Sequence, residues 1–479
     1  MRLSDLADIT SDSEVTGFAL DHRKVARGSI FGAFRGTQVD GEDFITAAVE
    51  RGAAAVIARP EASVPKVPHI ADPEPRKRFA ELAAKFYAPY PETVVAVTGT
   101  NGKTSTVEMT RQIWRIGGHR SASIGTLGVT TSDDQVKTGL TTPDIVTFLS
   151  NMAGLERMGI SHIAYEASSH GLDQHRCEGV ALAAATFTNF SRDHLDYHAS
   201  MDDYFEAKMR LFDELLEPDR PAVIWTDDLK SDAVIERCRK RRHRLMTVGR
   251  RGETIRLIAQ QPSALGQTLD LAHDGQDYRL ALPLIGAYQA ANVLTAAALV
   301  LATGGQWADV YSAMQRVAPV RGRLERAVIS RSGVPVYVDY AHTPDALEAA
   351  IAALRPHVSV GERGRLIAVF GAGGDRDEGK RPEMGRIATE MSDVVIVTDD
   401  NPRGEDPARI RAAILADAPG AIEVAGRREA ISEALRIARP GAIILLAGKG
   451  HETGQIIGSG KDQRILPFDD ALVARECAA

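Results

Sequence analysis

The sequence predicts an α/β protein built of mostly parallel sheets covered by helices. Two observations predict it: apolar stretches that empty into polar, glycine-rich loops, and helical stretches that separate one such strand from the next. "TVVAVTGTNGKTSTVEMTRQIWRI" (93–116) reads as strand, glycine turn and helix. "HIAYEASSHG" (162–171) and "AATFTNFSRDHLDYH" (184–198) are further strands ending in polar loops. The last third repeats the pattern in "VPVYVDYAHTPDALEAAIAAL" (334–354), "RLIAVFGAGGDRDEG" (365–379), "DVVIVTDDNPR" (393–403) and "GAIILLAGKGHE" (441–452). Strands alternating with helices form parallel sheets buried on both faces. Right-handed crossovers then bring the loops after the strands to one edge of each sheet.

At 479 residues the chain is too long for a single core, so two to four domains are expected. The proline-rich stretch "RPEASVPKVPHIADPEP" (59–75), a short amphipathic helix after it and "PYPE" (89–92) place one boundary near residue 90. A second lies at "VAPVRGRLERA" (317–327), between a long Ala/Leu helical region and a fresh series of strands. The expected domains are 1–91, 92–318 and 319–479.

Composition excludes several function classes. Lys and Arg (57) against Asp and Glu (64) leave a net charge of −7 with no long basic run, so no nucleic-acid partner is expected. Cys177, Cys238 and Cys477 are scattered without a CxxC pair, which fits a reducing compartment. "MRLSDLADIT" carries no charged-then-apolar leader, and "NVLTAAALVLA" (292–302) is too short to span a bilayer. The expectation is a cytoplasmic protein with no membrane association.

"GTNGKT" (99–104) is the strongest local signal. A glycine turn at a helix start aims backbone N–H groups at an anion. Lys103 would reach the β/γ-phosphates of a nucleotide, and the Thr104 hydroxyl would ligate Mg²⁺. Val97 stands where the full P-loop pattern has glycine, so the loop is a shortened form. The plain alternative is a strand–helix turn with a solvated lysine.

A metal needs further ligands. Glu166 ends an apolar strand, where a Mg²⁺-organising carboxylate would sit. "SRDHLDYH" (191–198) offers Asp193, His194, Asp196 and His198. The i, i+4 spacing of His194 and His198 also permits zinc, although no third ligand is suitably spaced and no HExxH exists. A capped loop with solvated histidines is the remaining alternative. In "FGAGGDRDEG", Arg376 stands where a dinucleotide fingerprint needs glycine, which argues against a dehydrogenase.

Collinear motifs along the whole chain resemble the Mur ligases, which build the peptidoglycan stem peptide. They include "GTNGKTS", "EASSHGLDQHR" (166–176), "TNFSRDHLDYH", "YFEAKMRLF" (204–212), "GAYQAANVLTA" (286–296), "VRGRLE", "DYAHTPDALE", "GAGGDRDEGKRP", "DDNPRGEDP" and "LAGKGHE". The resemblance implies three domains: an N-terminal α/β UDP-binding domain, a central P-loop-type ATPase and a C-terminal Rossmann-like domain that receives an amino acid. It implies amide formation driven by ATP through an acyl phosphate, with Mg²⁺ and small-molecule substrates, and a monomer is expected.

The resemblance also implies residue roles. Gly99, Thr100, Asn101, Gly102, Lys103, Thr104 and Ser105 would hold ATP, with Asn292, Arg323, Asp339 and His342. Thr104 and Glu166 would serve the first Mg²⁺, and His194 the second. Lys208, in "DDYFEAKMRLFDELL", matches a lysine that the family carbamylates; alone it reads as a solvated helix lysine. Leu20, His22 and the stretch Thr37, Gln38 and Val39 would border the uridine diphosphate. His22 departs from the family's usual serine, and Leu140 from a common polar residue. Thr141, Thr142, Ser168, Gln174 and Arg176 would contact the sugar–peptide.

Arg403 closes the reading. "DNPR" (400–403), Asp400, Asn401, Pro402 and Arg403, is similar to the pattern of the members that add diaminopimelate. A carboxylate at the far end of the acceptor calls for a planar, two-pronged guanidinium, which an ammonium does not supply. By the same resemblance Arg376 would hold the other carboxylate, while Gly448 and Glu452 would accept the distal ammonium. Two other readings carry less. A folate-polyglutamate-type ligase does not account for residues 1–91, and a non-catalytic nucleotide-binding protein does not account for intact Lys103, Glu166, His194 and Lys208.

Overall fold

The computed structural model describes residues 1–36, 39–136, 139–195, 197–263, 265–358 and 364–479. Two compact units divide it, one formed by Met1–Arg256 with Asn292–Val310 and the other by Leu257–Ala291 with Tyr311–Ala479.

The first unit holds two sheets. Gly17–Ala19, Ser29–Gly32, Ala55–Ala58 and His69–Ala71 pair in parallel in that order. The helix Pro75–Tyr87 begins on proline, whose fixed φ suits a first helical position. It buries Phe79, Leu82 and Ala83. The second sheet runs, within this unit, Arg244–Gly249, Pro221–Trp225, Ala184–Phe187, Thr93–Thr98, His162–Glu166, Ser121–Gly125, Gly128–Thr130 and Gln135–Val136. Pairing is parallel from Arg244–Gly249 to Ser121–Gly125 and antiparallel for the last two strands. Thr93–Thr98 is central, and its residues from Val94 to Thr98 are all buried, as a strand covered on both faces requires. Its last residues therefore deliver the glycine loop to the sheet edge beside those following His162–Glu166 and Ala184–Phe187.

The second unit contains a six-stranded sheet in the order Glu325–Ile329, Pro335–Asp339, Ile443–Ala447, Leu366–Phe370, Val394–Val397 and Ile422–Glu423. Only the first pair is antiparallel. Ile443–Ala447 inserts between two strands that precede it by many residues, so the chain order breaks at the centre. Open α/β sheets bind ligands at such a break, outside the carboxyl ends of the strands. The loops starting at Tyr340, Gly371, Thr398 and Gly448 all emerge on that edge. Among the described residues no helix is long and apolar enough to cross a membrane.

Candidate active site

In the first unit the glycine loop is clamped by the segment after Ala184–Phe187. Thr100 N donates to Asn189 O (2.9 Å) and Asn101 N to Asn189 Oδ1 (2.8 Å). Thr188 Oγ1 donates to Asn101 O (2.7 Å). Gly102 is left-handed (φ +83°), and a Cβ there would lie 2.4 Å from Asn292 Oδ1. Only glycine meets both demands. This packing brings Asn292 against the loop, although nearly two hundred residues of chain separate them. Thr104 and Ser105 open the helix Lys103–Ile116 and are buried.

Two lysines converge on one carbonyl. Lys103 Nζ donates to Gly99 O (2.9 Å) and Thr100 O (2.7 Å), and Lys208 Nζ donates to Gly99 O (2.7 Å). Lys208 is 1% exposed, the reverse of a solvated helix lysine. It sits in the last turn of Met201–Arg210, where the helix passes into a π-turn, Leu211–Leu215, and its ammonium lies 4.3 Å from the centre of the Tyr204 ring. Burial pushes its pKa well below the usual lysine value, and the Lys103 charge adds to that shift.

Glu166 is 2% exposed and, among the described residues, has no ion-pair partner. Its carboxylate accepts from Thr126 N (2.7 Å) and Thr126 Oγ1 (3.3 Å). A buried carboxylate without a cation fits a Mg²⁺ role, because the charge otherwise stays uncompensated. Thr104, at the start of the same helix as Lys103, supplies a hydroxyl of the right kind. His194 adopts φ +53° and lies 3.4 Å from Asp193 Oδ2 through its Nε2. Nearby, His198 Nε2 is buried and has no hydrogen-bond partner among the described residues, and burial lowers the pKa of that ring.

The residues expected to face the sugar–peptide form one network. Thr142 Oγ1 donates to Glu166 O (2.8 Å) and pairs with Ser168 Oγ (2.9 Å), while Thr141 Oγ1 pairs with Thr126 Oγ1 (3.1 Å). Arg176 donates to Gln174 Oε1 (2.5 Å) and Thr142 O (3.1 Å), and Gln174 Nε2 donates to Tyr197 OH (2.9 Å). Leu20 is half-buried against the core of this unit. The His22 ring stacks on Phe44 with centroids 4.4 Å apart, so it uses its face where a serine would offer only a hydroxyl. Val39 and Leu140 are exposed. Thr37, Gln38 and Asp196 lie outside the described residues.

In the second unit, Asp339 accepts Leu324 N (2.7 Å) and Ala341 N (2.9 Å) and is buried. Burial raises its pKa, while the Arg323 guanidinium and the two backbone donors oppose that shift. Leu324 is held at φ +44°, a strained position for a bulky residue. Asp339→Ala would orphan two buried N–H groups, one of them the Leu324 N–H that holds this strained position. Its expected effect is a loss of about 2–4 kcal/mol, read as a lower denaturant midpoint of the full chain. Arg323 lies 4.9 Å over the Tyr340 ring, and His342 Nδ1 is 2.7 Å from Tyr340 O.

On the same edge, Arg403 is left-handed (φ +50°). Its N–H donates to Ile456 O (3.1 Å) and its Nη1 to Gly374 O (2.9 Å). A Cβ built on Gly373 would lie 2.7 Å from Arg403 Nη1 and 3.9 Å from Arg376 Cγ, so both arginines border that glycine. Asp400, Asn401 and Pro402 are buried. Gly448 (φ +114°) admits Asp400, whose Oδ2 would be 2.5 Å from a Cβ there. Glu452 accepts from Asn401 Nδ2 (2.8 Å).

Three family models match this architecture in order: "Mur ligase family, catalytic domain" over 14–87, "Mur ligase middle domain" over 97–300, and "Mur ligase, glutamate ligase domain" over 322–450. The chain belongs to the Mur ligase family. Similar to it are Mur ligases named UDP-N-acetylmuramoyl-L-alanyl-D-glutamate–2,6-diaminopimelate ligase. That of Zymomonas mobilis is 56% identical over 465 residues, covering 97% of this chain and 95% of the relative. That of Bradyrhizobium diazoefficiens is 49% identical over 461 residues, covering 95% and 93%. A solved structure of the same description is 32% identical, with a TM-score of 0.75, and covers 100% of this chain and 98% of that one.

Sequence reasoning did not single out Thr126, Asn189 or Tyr204 in this Mur ligase. Asn189 lies inside the quoted "TNFSRDHLDYH" but its side chain supports the loop without being of an obvious ligand type. Thr126 follows a short buried strand with no local signal. Tyr204 (OH 3.2 Å from Thr100 Oγ1) sits in a helix that reads as ordinary.

Proposed function

We propose that this chain is an ATP-dependent, ADP-forming ligase of cytoplasmic peptidoglycan precursor synthesis. It joins meso-diaminopimelate to the D-glutamate of UDP-N-acetylmuramoyl-L-alanyl-D-glutamate. The observation that carries this reading is the 56% identity, over nearly the full length, to a relative whose name states that substrate pair. The paired arginines at Gly373 support it, since the acceptor carries a carboxylate at each end.

A free carboxylate is a poor acyl donor because its leaving group would be oxide. ATP transfers its γ-phosphoryl group to the glutamate γ-carboxylate, leaving ADP and an acyl phosphate. The acceptor amine then attacks the acyl carbon, loses a proton and expels inorganic phosphate. In this reading the loop N–H groups and Lys103 cradle the transferring phosphoryl group, where positioning and charge neutralisation dominate catalysis. Thr104, Glu166, His194 and Lys208 would hold Mg²⁺, which supplies part of that neutralisation. Arg176, supported by Gln174 and Thr142, orients the peptide carboxylates. Arg323, Asp339 and His342 serve the nucleotide, and Arg376 and Arg403 grip the acceptor.

The test is turnover of purified protein with the nucleotide dipeptide, ATP and one of two amino acids. ADP release should be fast with meso-diaminopimelate and slow with L-lysine. Faster turnover with lysine would overturn the acceptor assignment.

A further inference from the structure

Lys449 lies in the loop after Ile443–Ala447 and is 0% exposed. A buried ammonium is tolerated only where a counter-charge and acceptors meet it. Here its Nζ donates to Glu452 Oε2 (3.1 Å) and Asn401 Oδ1 (3.0 Å). The same Asn401 Oδ1 accepts from Ile456 N (2.9 Å). With its oxygen receiving two donors, the Asn401 amide is left one orientation, in which Nδ2 donates to Glu452 Oε2 (2.8 Å). Glu452 N in turn donates to Lys449 O (2.9 Å) and closes the turn.

Two consequences follow from this network. Glu452 Oε2 receives both donors, whereas Oε1 receives none among the described residues and is the oxygen left for an incoming cation. Asn401 also directly precedes Pro402 and Arg403, so its fixed amide anchors the turn that carries the guanidinium. One buried lysine therefore touches both the carboxylate and the arginine-bearing loop.

We propose that Lys449 is a positioning residue that couples the two halves of the acceptor site. It holds Glu452 so that Oε1 meets the ammonium of a diamino dicarboxylic acid, and holds Asn401 so that Arg403 meets its carboxylate. This rests on the functional reading above.

The experiment is a double-mutant cycle on the full chain, with KM and kcat measured for meso-diaminopimelate and KM for ATP. Lys449→Met should raise the diaminopimelate KM about tenfold or more, with kcat and the ATP KM changed by less than about threefold. In a Glu452→Gln background the same substitution should cost clearly less than in wild type, because one of the two groups it positions is already altered and only the arm through Asn401 remains. Lys449→Gln, which keeps a donor, should fall between wild type and Lys449→Met, and it replaces Lys449→Met in the cycle should that variant fail to fold. An unchanged diaminopimelate KM, an equal penalty in both backgrounds, or parallel losses in kcat and ATP affinity would each overturn the assignment. No diaminopimelate-dependent ADP release from wild type would instead overturn the functional reading, and this inference with it.

Discussion

Lys208→Met is expected to lower turnover roughly 100- to 1,000-fold while the protein stays folded. Methionine has a similar length and no charge, and replacing a buried charge by an apolar group of like volume is often neutral or stabilising. The loss is expected to arise from the site, because Lys208 shares Gly99 O with Lys103 at the loop proposed to receive phosphate. An unmodified ammonium there would repel Mg²⁺, whereas a carbamate would ligate it. Burial and the Lys103 charge lower the Lys208 pKa and so favour the neutral amine. That amine can add to carbon dioxide, forming an N–C bond and releasing one proton. Wild-type enzyme equilibrated with ¹³C-bicarbonate should show a carbamate carbonyl resonance by NMR, and the Lys208→Met variant should lack it. Active wild type without that signal would reject the carbamate. Undiminished turnover in the variant would remove Lys208 from the chemistry.

Arg403→Gly is expected to raise the KM for meso-diaminopimelate about 30- to 1,000-fold, the equivalent of about 2–4 kcal/mol for a desolvated charge pair. Glycine is the appropriate replacement because Arg403 sits at φ +50°, where alanine would add backbone strain to the loss of the side chain. The bond from its N–H to Ile456 O survives the change. Steady-state kinetics should show the ATP KM little altered, since the phosphate loop is untouched. Arg403→Lys should restore little, because an ammonium cannot make the two parallel bonds that a carboxylate accepts from guanidinium. Unchanged acceptor kinetics in Arg403→Gly would take the guanidinium out of the site.

How much of this was legible in sequence varied with the kind of interaction. The strands and the loops they carry could be read directly, because a fully buried parallel strand is a continuous apolar run and its end is marked by glycine and aspartate. Lys103, Glu166 and Arg403 stood out because each lies at the end of such a run or in the polar loop after it. Lys208 did not: its spacing on an amphipathic helix gives a surface lysine, and only the resemblance raised it. Its burial depends on how Met201–Arg210 packs beside Gly99, which is 109 positions away. His22 stood out in sequence only as a departure from serine; that its ring lies flat on Phe44 is set by a neighbour that no local pattern announces.

By itself the sequence determined the α/β class, the glycine turn between strand and helix, and the family, because these rest on local periodicity and on short motifs whose spacing is chemical. Tertiary structure alone decided which groups share a carbonyl, which buried carboxylate has no ion-pair partner among the described residues and which lysine is sealed inside. Glu166 beside Thr126, Lys208 beside Lys103, and Lys449 between Asn401 and Glu452 are each set by strand order and crossover. Charge and hydrogen-bond partnership act through space over a few ångströms, and in a parallel sheet the neighbours in space are seldom neighbours in the chain.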